Sequence, residues 1–229
     1  MNIFKKLNFT ALILLITVAT YAQVSVGFKS GVNLADTRVS GLFDNNLPEQ
    51  NMYPGFTAGI IAEFPLLNGF AFRPELNYSQ KGFITDVSVT DLELLGIDVP
   101  VGARAKTRFN YIDVPLLIKY STGTELAKVY FVAGPTVGYT LNAHVRPVAN
   151  FIINVNLPRV NIPLDNDIYQ RWEIAATLGV GGEVKAGQGK LFSDVRYNLG
   201  LTNMLQDPII DFRAKNQGVA ITAGYAYLF

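Results

Sequence analysis

Charged side chains recur at every second position in several segments of this chain, a spacing that places them on one face of a β-strand. Arg73 and Glu75 share such a face, and so do Asp194 and Arg196. The full set comprises Lys29, Arg73, Lys119, Lys185 and Arg196 with Glu63, Glu75, Asp113, Glu173, Glu183 and Asp194. Opposite charges on an enclosed face can conduct ions or relay protons, or they can pair into salt bridges that fill the space. The near balance of sign favours pairing, because an unpaired buried charge is costly.

Eight segments with period-two alternation would position these residues. They are approximately Val24–Leu34, Gly55–Phe64, Gly69–Ser79, Phe109–Tyr120, Lys128–Leu141, Arg171–Lys185, Lys190–Thr202 and Gly218–Phe229. In each segment one face is apolar and free of charge, whereas the other face carries polar, small or charged residues. The pattern predicts an all-β protein.

The connections between these segments alternate in length. Three are short turns with Gly, Asn or Pro, and four are long: about Ala35–Pro54, Gln80–Arg108, Asn142–Gln170 and Asn203–Gln217. Strict alternation predicts an up-and-down meander with all turns at one end. Transmembrane barrels have this asymmetry, with short periplasmic turns and long extracellular loops. We therefore expect an eight-stranded antiparallel transmembrane β-barrel with four long extracellular loops.

The composition of the two faces indicates which one points outward. The charged face is rich in Gly, Ala, Thr and Ser, which suits the interior of an eight-stranded barrel, where side chains just fill the space. The apolar face ends in aromatic residues at several strand ends, as an interfacial girdle requires: Tyr78, Tyr120, Tyr139, Trp172, Tyr197 and Tyr227. A soluble, lipocalin-like barrel would point the apolar face inward. The segments, at about 10–14 residues, exceed the 9–11 needed to cross a bilayer, so some strands should project beyond it.

The first residues have the features of a secretory leader. Lys5 and Lys6 precede an apolar run from Ala11 to Ala19 that is too short to span a bilayer, and Ala22 ends a small-x-small cleavage site. The predicted leader comprises residues 1–22 and the barrel domain residues 23–229. The location expected is the outer membrane, reached through the periplasm after the leader is cleaved.

Composition excludes several classes of site and partner. Without Lys5 and Lys6 the chain has 17 Lys/Arg against 18 Asp/Glu, which gives no electrostatic argument for nucleic acid. Charged residues are 16% of the chain, low for a soluble domain and consistent with a surface that faces lipid. The absence of cysteine excludes a lipoprotein anchor, disulfides and thiolate metal sites.

No constellation predicts catalysis, a cofactor or a metal. The single histidine, His144, falls in the third long connection, where an exposed loop residue is the expected role. The run Gly179-Val-Gly-Gly-Glu183 resembles a phosphate-binding loop, but it lies inside a predicted strand with no helix after it. No Ser or Asp has a base positioned to activate a nucleophile.

Two further elements suggest contacts with other molecules. The segments Phe151–Leu157 and Val160–Leu164 alternate about Pro158-Arg159 and are predicted to form a hairpin above the membrane. That hairpin would extend the strands or cover the mouth, or it would offer an edge to a partner strand. The final strand ends on Phe229, and a terminal strand closing on an aromatic resembles the signal that barrel-insertion machinery reads.

Several runs carry a family resemblance that covers essentially all of residues 23–229. They are Gly31-Val-Asn-Leu-Ala35, Pro74-Glu-Leu-Asn-Tyr-Ser-Gln-Lys-Gly82, Tyr111-Ile-Asp-Val-Pro-Leu-Leu-Ile-Lys-Tyr120, Gly134-Pro135 and Asp194-Val-Arg-Tyr197. The chain resembles the PorT-type outer-membrane β-barrel family, and the run ending at Tyr120 is the most specific element. The resemblance implies an eight-stranded barrel without known catalysis, in a family whose namesake is needed for type IX secretion and gliding.

The leading hypothesis is a non-enzymatic outer-membrane barrel with a structural or interaction role, tied to secretion or surface assembly. A narrow channel for small solutes is the second hypothesis, and an outer-membrane hydrolase or acyltransferase is the third. The expected partners are outer-membrane lipid, the insertion machinery and an unidentified protein at the extracellular loops. The expected lumen network is Lys29, Glu63, Arg73, Glu75, Asp113, Lys119, Glu173, Glu183, Asp194 and Arg196.

Overall fold

A computed structural model describes residues 24–40, 50–94, 97–150, 154–164, 170–203 and 213–229. The predicted leader, residues 1–22, lies outside these ranges. Within them the chain forms strands joined by turns and short irregular stretches. No helix in the described ranges is long and apolar enough to cross a membrane.

The described chain forms eight long strands and two short ones. The strands are β1 Ser25–Ser40, β2 Gln50–Pro65, β3 Phe70–Leu94, β4 Ile97–Gly123, β5 Ala127–Asn150, β6 Asn154–Asn156, β7 Val160–Ile162, β8 Trp172–Ala186, β9 Gly189–Gly200 and β10 Arg213–Leu228. All pairings are antiparallel, and the long strands follow the order β4-β3-β2-β1-β10-β9-β8-β5. A further pairing of β4 with β5 closes the ring. The predicted eight-stranded up-and-down barrel is confirmed.

The two ends of the chain close the barrel against each other. β1 pairs with β10 from Ser25 opposite Leu228 to Ser40 opposite Arg213. Beyond the strands, the backbone N–H of Phe229 donates to the carbonyl of Val24 at 2.9 Å. Closure gives every long strand a hydrogen-bonded neighbour on each side, which is the condition for a β-structure to cross hydrocarbon.

Short turns join the strands at one end, here called the turn end. Between β2 and β3, the N–H of Leu66 donates to the carbonyl of Phe70 at 2.7 Å. Asn68 and Gly69 have φ values of 58° and 81°, the left-handed region that Asn and Gly tolerate best. The opposite end, with the long connections, is called the loop end.

The outward face of the barrel is an apolar band between two levels of aromatic side chains. Near the turn end, the rings of Phe70 and Tyr120 lie 4.9 Å apart, as do those of Tyr227 and Phe229. Toward the loop end, Tyr139 and Trp172 form a similar pair, also at 4.9 Å. On β3 the two levels are eight residues apart, from Phe70 to Tyr78, which is about 26 Å along a strand. This is the girdled band expected of a membrane barrel.

The second long connection is mostly strand, so the predicted boundaries of the third and fourth segments were too short. β3 and β4 have 25 and 27 residues and pair up to Leu94 opposite Ile97. The stretch after Gln80 continues to alternate and is rich in β-branched residues, which favours strand over irregular chain. Strands of this length exceed the roughly 9–11 residues needed to cross a bilayer, as the expected projection requires.

The predicted hairpin about Pro158-Arg159 is wrong. β6 pairs with Val148–Asn150 of β5, and β7 pairs with Ala143–Val145 of the same strand. The two short strands therefore lie one after the other along β5 instead of opposite each other. The exposed edge of the extended β5 offers backbone partners for both strands, and this competes with a local turn. In the described residues this connection acts as a strand extension.

Candidate functional site

Period-two alternation aims the charged residues into the barrel. Along β9 the side chains are buried at every second position, including Asp194 and Arg196, while their neighbours are exposed. All ten residues of the expected lumen network are buried: Lys29, Glu63, Arg73, Glu75, Asp113, Lys119, Glu173, Glu183, Asp194 and Arg196. They fall into three layers along the barrel axis, each described below.

The central layer is organised around Glu75 of β3. Arg196 donates to both of its carboxylate oxygens, at 2.8 and 3.0 Å, in a fork geometry that only a guanidinium can provide. Lys29 Nζ lies 2.6 Å from the same carboxylate, and Asn77 donates to it at 3.1 Å. The side chain of Glu75 has no exposed area. Three strands thus converge on one buried carboxylate, since Glu75 lies on β3, Lys29 on β1 and Arg196 on β9.

Asp194 is the second carboxylate of the central layer. Its oxygens accept from Arg196 at 2.7 and 2.9 Å, from the hydroxyl of Thr222 at 2.7 Å and from the hydroxyl of Tyr130 at 2.9 Å. A Cβ at Gly181 would collide with the Tyr130 ring, so that position allows the ring to reach Asp194. With Lys29, Arg73 and Arg196 against two carboxylates, this layer has one excess positive charge.

Arg73 is held differently from Arg196. Its Nε lies 3.0 Å from Glu75 Oε1 and its Nη2 lies 3.7 Å from Asp194, but neither N–H points along a hydrogen bond. The guanidinium instead lies over the ring of Phe192 at 4.6 Å and near that of Tyr130 at 5.5 Å. Charge attraction and cation–π contacts hold this arginine, which is 1% exposed.

The turn-end layer is a square of alternating charges. Lys119 Nζ lies 3.0 Å from Glu63 and 2.5 Å from Glu183. Lys190 Nζ lies 2.5 Å from Glu63 and 3.1 Å from Glu183. Each carboxylate therefore bridges two ammonium groups, and the layer is neutral. The Tyr130 ring lies 4.4 Å from Lys119 Nζ and separates this layer from the central one.

The loop-end layer has one cation for two carboxylates. Lys81 Nζ donates to Asp113 at 3.1 Å and to Glu173 at 3.3 Å, and it lies 4.3 Å from the centre of the Tyr111 ring. Asn216 donates to Glu173 at 2.9 Å and to the hydroxyl of Tyr111 at 3.1 Å. The excess negative charge here balances the excess positive charge of the central layer.

The three layers together pair six cations with six carboxylates among the described side chains. Sequence reasoning missed two of the cations, Lys81 and Lys190. Lys81 lies an even number of positions from Glu75, and Lys190 an even number from Asp194, so alternation places both on the inward face. They were missed because they lie at or beyond the ends of the predicted segments. Lys185 was predicted to point inward, and this is wrong: it is exposed at the turn end, one residue before β8 ends.

Little space remains between these side chains. A cavity of about 40 Å³ lies between the central and loop-end layers, lined by residues that include Lys29, Asn77 and Asp113. That volume holds a few waters at most. Toward the loop end the lumen is covered by an apolar cluster of Phe109, Tyr111, Ala143 and Leu164, against which Phe83 and Ile162 pack.

The remaining sequence candidates lie outside the lumen network or inside regular strand. His144 is half-buried on β5, opposite Arg108 of β4, and not in a loop as expected. Gly179–Glu183 lies within β8. No group of three or more potential metal ligands occurs among the described residues. Phe229 is 74% exposed and follows the last residue of β10.

Comparisons with solved structures return bacterial surface and outer-membrane proteins, among them the following three. Neisserial surface protein A is 12% identical with a TM-score of 0.40, covering 90% of this chain and 97% of its own. OprG from Pseudomonas aeruginosa is 10% identical with a TM-score of 0.43, covering 91% and 96%. Ail of Yersinia pestis is 14% identical with a TM-score of 0.39, covering 90% and 99%. A search of curated proteins gave no match.

The family comparison is independent of these structures. The model of a family described as outer membrane protein beta-barrel domain matches residues 20–206, which include all of β1 to β9. The closed antiparallel ring, the outward apolar band and the two levels of aromatic residues agree with that description. The chain belongs to the outer membrane protein β-barrel domain family.

Proposed function

We propose that this outer-membrane barrel is a sealed, non-catalytic scaffold that acts through contacts at its loop end, in surface assembly or secretion. The observation that supports a sealed scaffold is the complete pairing of six lumen cations with six lumen carboxylates. A solute path along the axis would have to separate these pairs in all three layers. Removing one partner from a buried ion pair typically costs about 3–5 kcal/mol, so spontaneous opening is rare.

Conductance measurements test the sealed lumen against a narrow channel. The mature protein, refolded into planar bilayers, is expected to show no steady conductance, while a porin in the same bilayers shows that channels are detected. Steady single-channel steps from correctly folded protein, verified by heat-modifiable migration on a gel, would favour the channel instead.

The proposed contact surface is the projecting part of β3, β4 and β5 with β7. β7 pairs with β5 on one side, and no strand in the described part of the chain pairs with its other side. An edge of this kind can accept a partner strand through backbone hydrogen bonds. The resemblance to PorT-type proteins supports a partner in secretion or surface assembly.

Site-specific crosslinking in intact outer membranes tests this surface. A photoreactive residue at Asn161 of β7 should capture a discrete protein, whereas one at Lys128, exposed at the turn end, should not give the same product. Identical products from both positions, or none from Asn161, would contradict a loop-end contact.

The proposed route to the membrane uses the leader, residues 1–22, and the terminal aromatic as a docking signal for the insertion machinery. Phe229→Ala should lower insertion in cells and leave refolding into detergent unchanged, because refolding needs no machinery. Equal losses of insertion in cells and of refolding in detergent would mean that Phe229 is structural. Its contact with the Tyr227 ring would then matter more than recognition by the insertion machinery.

A further inference from the structure

The strands that project beyond the loop-end aromatic level carry a row of basic residues. These residues, here called the basic face, are Arg104, Lys106 and Arg108 of β4, His144 and Arg146 of β5, and Arg159 between β6 and β7. Register places Arg108 opposite His144 and Lys106 opposite Arg146. The side chains of two adjacent strands therefore form one continuous surface.

This surface points away from the barrel axis. The alternate residues Thr107, Phe109 and Ala143 are buried, and the last two belong to the apolar cluster that covers the lumen. Strand alternation directs their neighbours, including Lys106, Arg108 and His144, to the opposite side. The basic face thus continues the outward side of the barrel wall upward from the apolar band.

Among the side chains that the structure describes, little negative charge is paired with this face. On β3 the positions opposite its residues are Gly82, Ile84 and Asp86. Asp86 pairs with Arg104 at 2.5 Å. Counting the described side chains only, five permanent cations with the carboxylate of Asp86 leave an excess of about four positive charges.

Two features of the basic face would be relieved by a bound anion. Arg108 Nε is buried and has no hydrogen-bond partner in the described structure. The pKa of His144 is lowered, first by burial and then by repulsion from Arg108, Arg159 and Arg146. An anion at this surface would supply a partner for Arg108 and relieve the repulsion.

The height of the basic face above the membrane indicates which anion meets it. Tyr139 marks the loop-end aromatic level, and His144 follows five residues later on the same strand. With a strand rise of about 3.3 Å and a tilt of about 40°, Arg108 and His144 lie roughly 10 Å above that level. Long arginine and lysine side chains can span most of this distance. The anions available at that depth, beside the barrel wall, are lipid headgroup phosphates.

We propose that the basic face binds the phosphate groups of anionic lipids in the outer leaflet, so that the barrel retains a specific phosphorylated lipid against β4 and β5. The basic face continues the lipid-facing band, and its positive charge complements lipid phosphates. These two features favour a lipid over a soluble anion. This proposal does not depend on whether the lumen conducts or on a protein partner.

Lipid retention measured by native mass spectrometry tests the assignment. The refolded protein in zwitterionic detergent is titrated with diphosphorylated lipid A, and phosphatidylcholine serves as the neutral comparison. Lys106→Gln with Arg146→Gln removes two charges from the face. Near a charged surface each basic residue contributes about fivefold to lipid affinity, so the double variant should bind lipid A about 30-fold more weakly.

A matched variant removes two charges from the other rim. Lys128→Gln with Lys185→Gln changes two exposed lysines at the turn end and should retain lipid A as the unmodified protein does. Equal losses in both double variants would overturn the assignment, as would equal retention of lipid A and phosphatidylcholine by the unmodified protein. Displacement of lipid A by an equal concentration of inorganic phosphate would assign the face to soluble anions instead.

Discussion

The spanning part of the barrel and the part that projects beyond it use the same strands with opposite polarity. Below the loop-end aromatic level, β4 points Lys119 and Asp113 inward and Ile118, Leu116 and Ile112 outward. Above that level it points Phe109 inward and Arg108 outward. The reversal occurs within three residues, next to the irregularity between Asn110 and Tyr111.

This difference shows that alternation along a strand produces two faces, whereas the surroundings of the strand decide which of the two faces is apolar. In the bilayer, lipid demands an apolar exterior, and charges survive inside only as a fully paired network. Above the bilayer, water demands a polar exterior, and the interior closes over apolar side chains. The boundary between the two arrangements marks where the membrane ends.

The largest expected effect is the loss of stability when a buried ion pair is broken, compared with the loss when an exposed pair is broken. Arg196→Ala removes the fork to Glu75 and the bonds to Asp194 and leaves two buried carboxylates short of a partner. We expect a loss of about 3–5 kcal/mol in the free energy of unfolding, measured by urea denaturation in lipid vesicles. Arg104→Ala, which breaks the half-exposed pair with Asp86, should cost less than about 1 kcal/mol. Equal costs would contradict the contrast between the two regions.

A charge introduced on the outward face should destabilise the spanning region much more than the projecting region. Leu116 lies on β4 midway between the two aromatic levels, so Leu116→Arg places a cation near the middle of the bilayer. The expected cost is about 2–4 kcal/mol in the same unfolding assay. Ile84→Arg, on the outward side of the projecting part of β3, should change the free energy of unfolding by less than about 0.5 kcal/mol. A tolerated Arg at position 116 would place the bilayer elsewhere.

The inward apolar cluster can be broken without opening the barrel. Phe109→Ala removes a buried ring from the cluster above the lumen, and the free energy of local opening should fall by about 1.5–3 kcal/mol. Faster hydrogen exchange and proteolysis in the projecting parts of β3 and β4 would report this loss. The heat-modifiable migration and the main unfolding transition should stay unchanged, and a shift in either would mean that the two regions unfold as one unit.

The smallest effect is the titration of the single histidine. Because partial burial and then the charges of Arg108, Arg159 and Arg146 favour the neutral imidazole, the pKa of His144 should lie below its ordinary value of 6.5. The neutral imidazole therefore stabilises the projecting strands fully above the ordinary pKa, and this stabilisation is lost as pH falls through the lowered pKa. One NMR resonance reports the titration. Arg108→Gln should raise the midpoint, whereas Lys128→Gln should leave it in place.

Much of the spanning region was predictable because period-two alternation and turn residues are local signals. The identity of the lumen partners was not. Arg196 meets Glu75 across 121 positions in the chain, and that pairing depends on barrel stagger and side-chain reach. Lys81 and Lys190 were missed for a simpler reason, because the predicted segments ended at or before them. The hairpin about Pro158-Arg159 failed because β5 offered both halves a better partner than each other.

The hydrogen bond between Phe229 and Val24 has a consequence for engineering. Residues 24 and 229 meet at the turn end, so a linker of a few residues could join these two positions without disturbing a strand. Such a circular permutant, opened in one of the long connections, would present both new termini at the loop end. Peptides or enzymes fused there would be displayed on a rigid, cysteine-free support.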